Sequence, residues 1–304
     1  MVLRLENFWL GLRYFFLFPI FGLLPPPLPY VLARHLSHLE HRYHRTRRRR
    51  IEDAMKQYGK DVPPQETVLD LATQRYFEVT FCDEMDLFIY LFGFSKRFGR
   101  EVKIEGEENL EEALKSRGGI LLSAHFGGGF WILPFLKKRG VSAHFFSADI
   151  EKENYPAGKA LYYYHRLRMG AVEKASGGRA LYKKEGRGEL KRALNDGEWV
   201  IILFDVPPFL VKDVMEVPFL GRKALFPRGI ISIAEETHSP ILPFFSFLDG
   251  GRQRRLQFEK PFRVDDVEAS VNRCVTLIER NVAERPDHWH LWPVADQFFV
   301  NTRH

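Results

Sequence analysis

Apolar residues fall along this chain at two different periods. Short runs at 119–124, 141–147, 199–204 and 240–248 are dense in Val, Ile, Leu and Phe, which predicts strands. Residues 254–259 and the stretch Val102-Lys103-Ile104-Glu105-Gly106 predict two more. Between them, 107–115, 130–138, 156–168, 186–196, 227–238 and 266–284 carry apolar positions at helical spacing. The aromatic-rich segment 66–94 has the same period and predicts a helix whose rings pack on the core. Strands alternating with helices predict an α/β fold, a mixed and mostly parallel sheet flanked by helices. No internal repeat is visible, and no low-complexity tract apart from an arginine run.

The amino terminus breaks this rhythm. Residues 8–24 read FWLGLRYFFLFPIFGLL, with Arg13 as their only charge, and a proline cluster follows. Seventeen residues is the short limit for a spanning helix, and Arg13 and Pro19 weaken that reading further. A helix lying in or dipping into one leaflet fits better. A cleaved signal peptide fits poorly, because prolines stand where a small-residue cleavage site belongs. Residues 34–50 then hold seven arginines, four histidines and one acid. An apolar anchor followed by a basic helix suits an anionic membrane surface, at roughly 1 kcal/mol per basic residue. The expected organisation is a membrane-anchoring segment, 1–33, and one α/β domain, 34–304, opening with that basic helix.

Charge agrees with this picture. The formal net charge is +6 and the isoelectric point about 9.2, which points to an anionic partner. Nucleic acid is not expected, because it leaves the apolar stretch unexplained. Histidines 35, 38, 41 and 44 drift around a helix, so a compact metal site is awkward and solvated or interfacial rings are expected. Two distant cysteines, Cys82 and Cys274, indicate neither a disulfide framework nor a thiolate metal site. Motifs for a serine hydrolase elbow, a phosphate loop, a dinucleotide fold and a zinc protease are all missing.

What remains is His125. It follows the strand Gly119-Ile120-Leu121-Leu122-Ser123-Ala124 and precedes Phe126, Gly127, Gly128 and Gly129. A neutral imidazole at a strand end can take a proton from a hydroxyl, provided another group holds its second nitrogen. Amides at Gly127, Gly128 and Gly129 could steady a developing oxyanion or a thioester carbonyl. The competing reading is a histidine in a turn that lets two elements pack closely.

Further windows carry a resemblance. The strand-His-Phe-Gly window is followed by Arg166-Leu167-Arg168-Met169-Gly170, then by Glu198-Trp199-Val200-Ile201-Ile202-Leu203-Phe204-Asp205. After these come Val217-Pro218-Phe219-Leu220-Gly221, Ser239-Pro240-Ile241-Leu242-Pro243 and Arg285-Pro286-Asp287-His288-Trp289-His290-Leu291-Trp292. In this order the set resembles the lauroyl/myristoyl acyltransferases that complete lipid A, within the lysophospholipid acyltransferase superfamily. The resemblance implies a glycerolphosphate-acyltransferase-like sheet and a membrane-associated enzyme at the cytoplasmic face of the cell inner membrane. It implies an acyl carrier protein or coenzyme A thioester as donor, no bound cofactor or metal, and a lipid or glycolipid hydroxyl as acceptor. His125 is then the general base, and Arg168 matches an arginine that could grip a phosphate or sugar head group, with a surface salt bridge as the competing reading.

The family motif places an aspartate or glutamate after four residues beyond the histidine, and here that position is Phe130. A phenyl ring cannot accept the imidazole N–H. In the serine protease triad, loss of an orienting carboxylate costs about 10⁴ in rate, which sets the scale. Three outcomes stay open: another acid takes over, the enzyme is slow, or the protein is a noncatalytic lipid-binding or scaffolding relative. A different acceptor, an amine or a non-lipid hydroxyl, is a further alternative. The expected substitute is Asp205, after strand 199–204, with Asp149 second. Arg179, Lys183, Lys184 and Arg187 read as a solvated basic loop, and residues 287–292 as aromatic packing beside the site.

Overall fold

The computed structural model describes residues 2–25, 27–59, 66–93, 102–155, 158–250 and 253–300. Nine strands are found among them: β1 Val102–Glu105, β2 Gly119–Ser123, β3 Ala143–Ser147, β4 Gly177–Tyr182, β5 Trp199–Leu203, β6 Val214–Phe219, β7 Arg222–Pro227, β8 Ile241–Leu248 and β9 Arg254–Phe258. Seven of these form one sheet in the order β1-β9-β8-β2-β5-β3-β4, and β6 and β7 form a separate hairpin. Every pair in the large sheet is parallel except β8 with β9. This is the mixed, mostly parallel sheet expected from the sequence.

The helices are α1 Val2–Leu12, α2 Phe18–Gly22, α3 Leu28–Tyr43, α4 Arg45–Tyr58, α5 Glu66–Leu91, α6 Glu107–Leu114, α7 Ile132–Lys138, α8 Lys159–Ser176, α9 Gly186–Asn195, α10 Gly229–Glu236 and α11 Val267–Glu284. β2 and β8 are buried along their whole length, because helices cover both faces of the sheet's centre. The expected helix at 130–138 opens as a 3₁₀ turn, Gly129–Trp131, before becoming α7. The helix expected at 156–168 runs on to Ser176 as α8, while residues 156, 157 and 94 lie outside the described set. The basic stretch expected to be a solvated loop includes strand β4, paired along β3. Its two glycines and basic tail hid the strand. Gly178 lets the chains approach, since a Cβ there would meet Ala143 O at 2.2 Å.

The apolar amino-terminal segment is docked on the domain. Arg13 is 1% exposed; its Nη1 donates to Glu40 Oε2 at 2.8 Å and its Nη2 to Glu84 Oε1 at 3.2 Å. Both acids come from other helices, α3 and α5, so Arg13 acts as an internal clamp; Glu40 also accepts from Arg47 and Trp9, and Glu84 from Tyr14. Tyr14 stacks on Tyr164 of α8 at 3.8 Å, and Phe18 packs edge-on against Phe81 and Phe88 of α5. A second clamp joins α3, α5 and β9: Arg254 Nη2 donates to both oxygens of Asp86, and Tyr30 OH donates to the same carboxylate. Among the described residues no helix is long and apolar enough to cross a membrane.

Candidate active site

β2 and β5 are parallel neighbours in register, with Ser123 opposite Leu203. Beyond the ladder, Phe204 N donates to Ser123 O at 2.7 Å, which keeps the two chains side by side as they leave the sheet. His125 and Asp205 each lie two residues past the Ser123–Leu203 pair, so the topology alone brings them together at the carboxyl edge.

The contact is close. His125 Nδ1 lies 2.9 Å from Asp205 Oδ1, and the backbone N–H of His125 reaches both carboxylate oxygens at 2.9 and 3.0 Å. Trp289 Nε1 donates to Asp205 Oδ2 at 2.9 Å. Asp205 and Trp289 are both fully buried, so three N–H donors surround one carboxylate that water does not reach. An ionised carboxylate only accepts, and this assigns the proton to Nδ1 and leaves the Nε2 lone pair free. The His125 side chain is 39% exposed and lines a cavity.

Burial works against charge on the His125 ring, yet the Asp205 carboxylate more than offsets it and holds the imidazole above its usual 6.5. Arg168 opposes this shift and Asp83 adds to it.

The cavity measures about 380 Å³. Its walls are largely apolar, including Phe130, Phe145, Met169, Ile201 and Phe244. Polar groups gather on one side. Arg168 Nη2 donates to Asp83 Oδ2 at 2.7 Å, and Nη1 donates to Tyr164 OH at 3.3 Å. Tyr155 OH and His165 Nδ1 share a hydrogen bond at 2.7 Å, and burial, helped by Arg168, pushes the His165 pKa down to about 4, so this ring is neutral.

The three glycines differ, and the amide of Gly127, expected to face substrate, is already bonded. Gly127 N donates to His288 O at 2.8 Å, and Gly127 O accepts from His290 Nε2 at 2.7 Å. With φ at +60° and only 1.8 Å from a Cβ to Ser246 O, this position admits glycine alone. Gly128 faces the buried Arg254–Asp86 pair, 3.3 Å from Cβ to Arg254 Nε, and its carbonyl accepts from Ser246 Oγ. Gly129 lines the cavity, as Gly127 does, but with open space around it, at the head of the helical run 129–138, where the first amides have no acceptor within the helix.

Asp149 also lines the cavity, but its Oδ1 accepts from Lys184 N at 3.1 Å. The bond to Nδ1 belongs to Asp205. Phe130 is 3% exposed, with Tyr90 at 5.3 Å and the Arg168 guanidinium over its ring at 6.0 Å. Position 130 is thus part of the apolar wall. Two participants escaped the sequence reading. Asp83 carries no local signal, being one of several acids on α5. Trp289 sat in a segment expected to pack beside the site, but its N–H is aimed at Asp205.

No curated protein matches the chain at a significant level. Among solved structures it is similar to the 1-acyl-sn-glycerophosphate (LPA) acyltransferase PlsC from Thermotoga maritima, at 15% identity over 83% of this chain and 97% of that chain, with a TM-score of 0.37. The family profile for bacterial lipid A biosynthesis acyltransferases matches residues 84–292, which take in His125, Arg168, Asp205 and Trp289. That match spans more than half of the 304 residues, and the chain belongs to the bacterial lipid A biosynthesis acyltransferase family.

Proposed function

We propose that this acyltransferase moves a fatty acyl group from a thioester, carried by acyl carrier protein or coenzyme A, to a hydroxyl of a lipid or glycolipid acceptor of the lipid A type. The observation that carries the reading is the buried Asp205 carboxylate on His125 Nδ1, with Nε2 left free beside a largely apolar cavity.

In this mechanism His125 Nε2 takes the proton of the acceptor hydroxyl as its oxygen attacks the thioester carbonyl. Asp205 stabilises the imidazolium that forms. The tetrahedral oxyanion is steadied by amides at the Gly129 end of the turn. Collapse breaks the carbon–sulfur bond, and the imidazolium returns its proton to the departing thiolate. Arg168, anchored by Asp83, faces the head group of the acceptor, and the acyl chain lies along the apolar wall.

Work at the cytoplasmic face of the inner membrane is part of the proposal. The docked amino terminus leaves Phe8, Phe16, Ile20, Leu23, Leu28 and Val31 between 42% and 69% exposed, a large apolar apron for a water-facing surface. α1 packs on α8, where Asn7 Oδ1 accepts from Ala160 N at 3.0 Å. α8 also carries exposed Tyr163 and Leu167 next to cavity-lining His165 and Arg168. A lipid acceptor entering from that side meets Arg168 first.

The scaffold reading expects the imidazole to be walled by phenyl groups, whereas an acid holds it. Lipid mass spectrometry of cells with and without the protein tests the proposal: one acylated lipid should vanish on deletion and return on complementation. An unchanged lipid acylation profile would reject it.

A further inference from the structure

His41 of α3, Glu52 of α4 and Asp70 of α5 each bring one ligand atom to a common point, all within 4.8 Å of one another. The histidine is not solvated, as the sequence pattern suggested. His41 is 7% exposed, and its Nε2 is shut off from solvent without a hydrogen bond. Nε2 lies 3.4 Å from Asp70 Oδ1 without the geometry of a hydrogen bond. That separation is long for a hydrogen bond. It does match the edge of a coordination tetrahedron, because donors roughly 2.0–2.1 Å from a tetrahedral centre lie about 3.3–3.4 Å apart.

Arg48 currently supplies the positive charge, and does so loosely. Its Nε is 3.3 Å from Glu52 Oε1 and its Nη1 is 3.9 Å from Asp70 Oδ1. The same Nε makes no hydrogen bond of acceptable geometry. The guanidinium thus offsets charge without satisfying either acid. A neutral imidazole is the form that binds metal, and a divalent cation would relieve the crowded acids.

The geometry points to a divalent transition-metal site in which His41, Glu52 and Asp70 are the protein ligands, Arg48 swings out to solvent and water completes the coordination. One imidazole and two carboxylates favour a borderline cation such as Zn²⁺ over Mg²⁺, which prefers all-oxygen sites and holds its water. The side chain of Asp70 is 48% exposed, so the cation has an entry path. Bound metal would fasten three helices at one point and fix the angle of α4, whose Arg45, Arg49 and Arg50 face solvent. The site is independent of the acyl-transfer reading.

The test uses the full chain, stripped with chelator and titrated with Zn²⁺ by calorimetry, with Co²⁺ as an optical probe and Mg²⁺ as comparator. One Zn²⁺ per chain, visible Co²⁺ bands of a low-coordinate site and no Mg²⁺ response are expected. Loss of an outer-sphere partner weakens metal sites 10–100-fold, so His41→Gln, which removes a ligand, should weaken Zn²⁺ binding by at least about 100-fold. Asp70→Asn, at a half-exposed position that the fold tolerates, should weaken it too. Arg48→Gln removes the competing cation and should tighten it. No saturable Zn²⁺ binding would overturn the proposal. So would an affinity that His41→Gln leaves unchanged, or one that Arg48→Gln weakens.

Discussion

Replacing Asp205 by Asn keeps the side chain's outline and removes one acceptor and one charge from a group that serves three donors. The amide has one oxygen for the two sides. If the oxygen stays on His125 Nδ1, the amide NH₂ confronts the buried Trp289 N–H, and an unsatisfied buried donor costs about 1–3 kcal/mol. If the NH₂ turns to His125, the ring must carry its proton on Nε2 and no base remains. Either arrangement also removes the charge that stabilises the imidazolium. By the scale of the serine protease triad, kcat should fall about 10³–10⁴-fold, or roughly 4–5.5 kcal/mol at 1.36 kcal/mol per decade.

The pH dependence has a defined sign. His125 is active when deprotonated, and Asp205 holds its pKa above 6.5, so kcat/KM should rise with pH through a limb lying above that value. In Asp205→Asn the burial and the Arg168 charge remain while the raising charge is gone, so the limb moves to lower pH. Single-turnover transfer of a labelled acyl chain from thioester to lipid in mixed micelles, measured across pH, reads both effects. A variant within about 10-fold of the wild type, or a limb that does not move, would refute the reasoning.

Other perturbations separate neighbouring claims. Gly127→Ala places Cβ 1.8 Å from Ser246 O at a positive φ and should lower stability by at least ~2 kcal/mol, read as a drop in thermal unfolding temperature. Phe130→Glu restores the family acid but buries a charge in the apolar wall; it should destabilise the protein and leave kcat no higher, since Asp205 already holds Nδ1. A rise in kcat would show that position 130 still addresses His125. Phe16→Asp with Ile20→Asp removes two side chains 60% and 55% exposed and should weaken binding to anionic lipid vesicles roughly 10-fold or more, with circular dichroism unchanged.

Much of this arrangement was legible because parallel strands announce themselves. β2 and β5 are buried on both faces and read as unbroken apolar runs, and residues just past neighbouring parallel strands must share an edge. His125 and Asp205 follow from that rule. β4 escaped because an edge strand that begins Gly177-Gly178-Arg179 lacks the apolar run. The β6–β7 hairpin escaped because Leu220 takes a positive φ beside Gly221, where Asn or Asp would have flagged a two-residue turn. Asp83, Trp289 and His41 depend on partners far along the chain: Arg168 for the first, Asp205 for the second, Asp70 for the third. Periodicity carries no information about such pairs. Gly127 shows the reverse failure: a glycine beside a histidine suggested a substrate contact, and its amide is taken by His288.

The measurement that bears most directly on the account is acyl transfer by purified, membrane-reconstituted protein with and without His125. Wild type should move a labelled acyl chain from a thioester to a lipid hydroxyl, and His125→Ala should lose at least ~10³-fold while binding vesicles as before. Near-full transfer by His125→Ala would contradict the central claim.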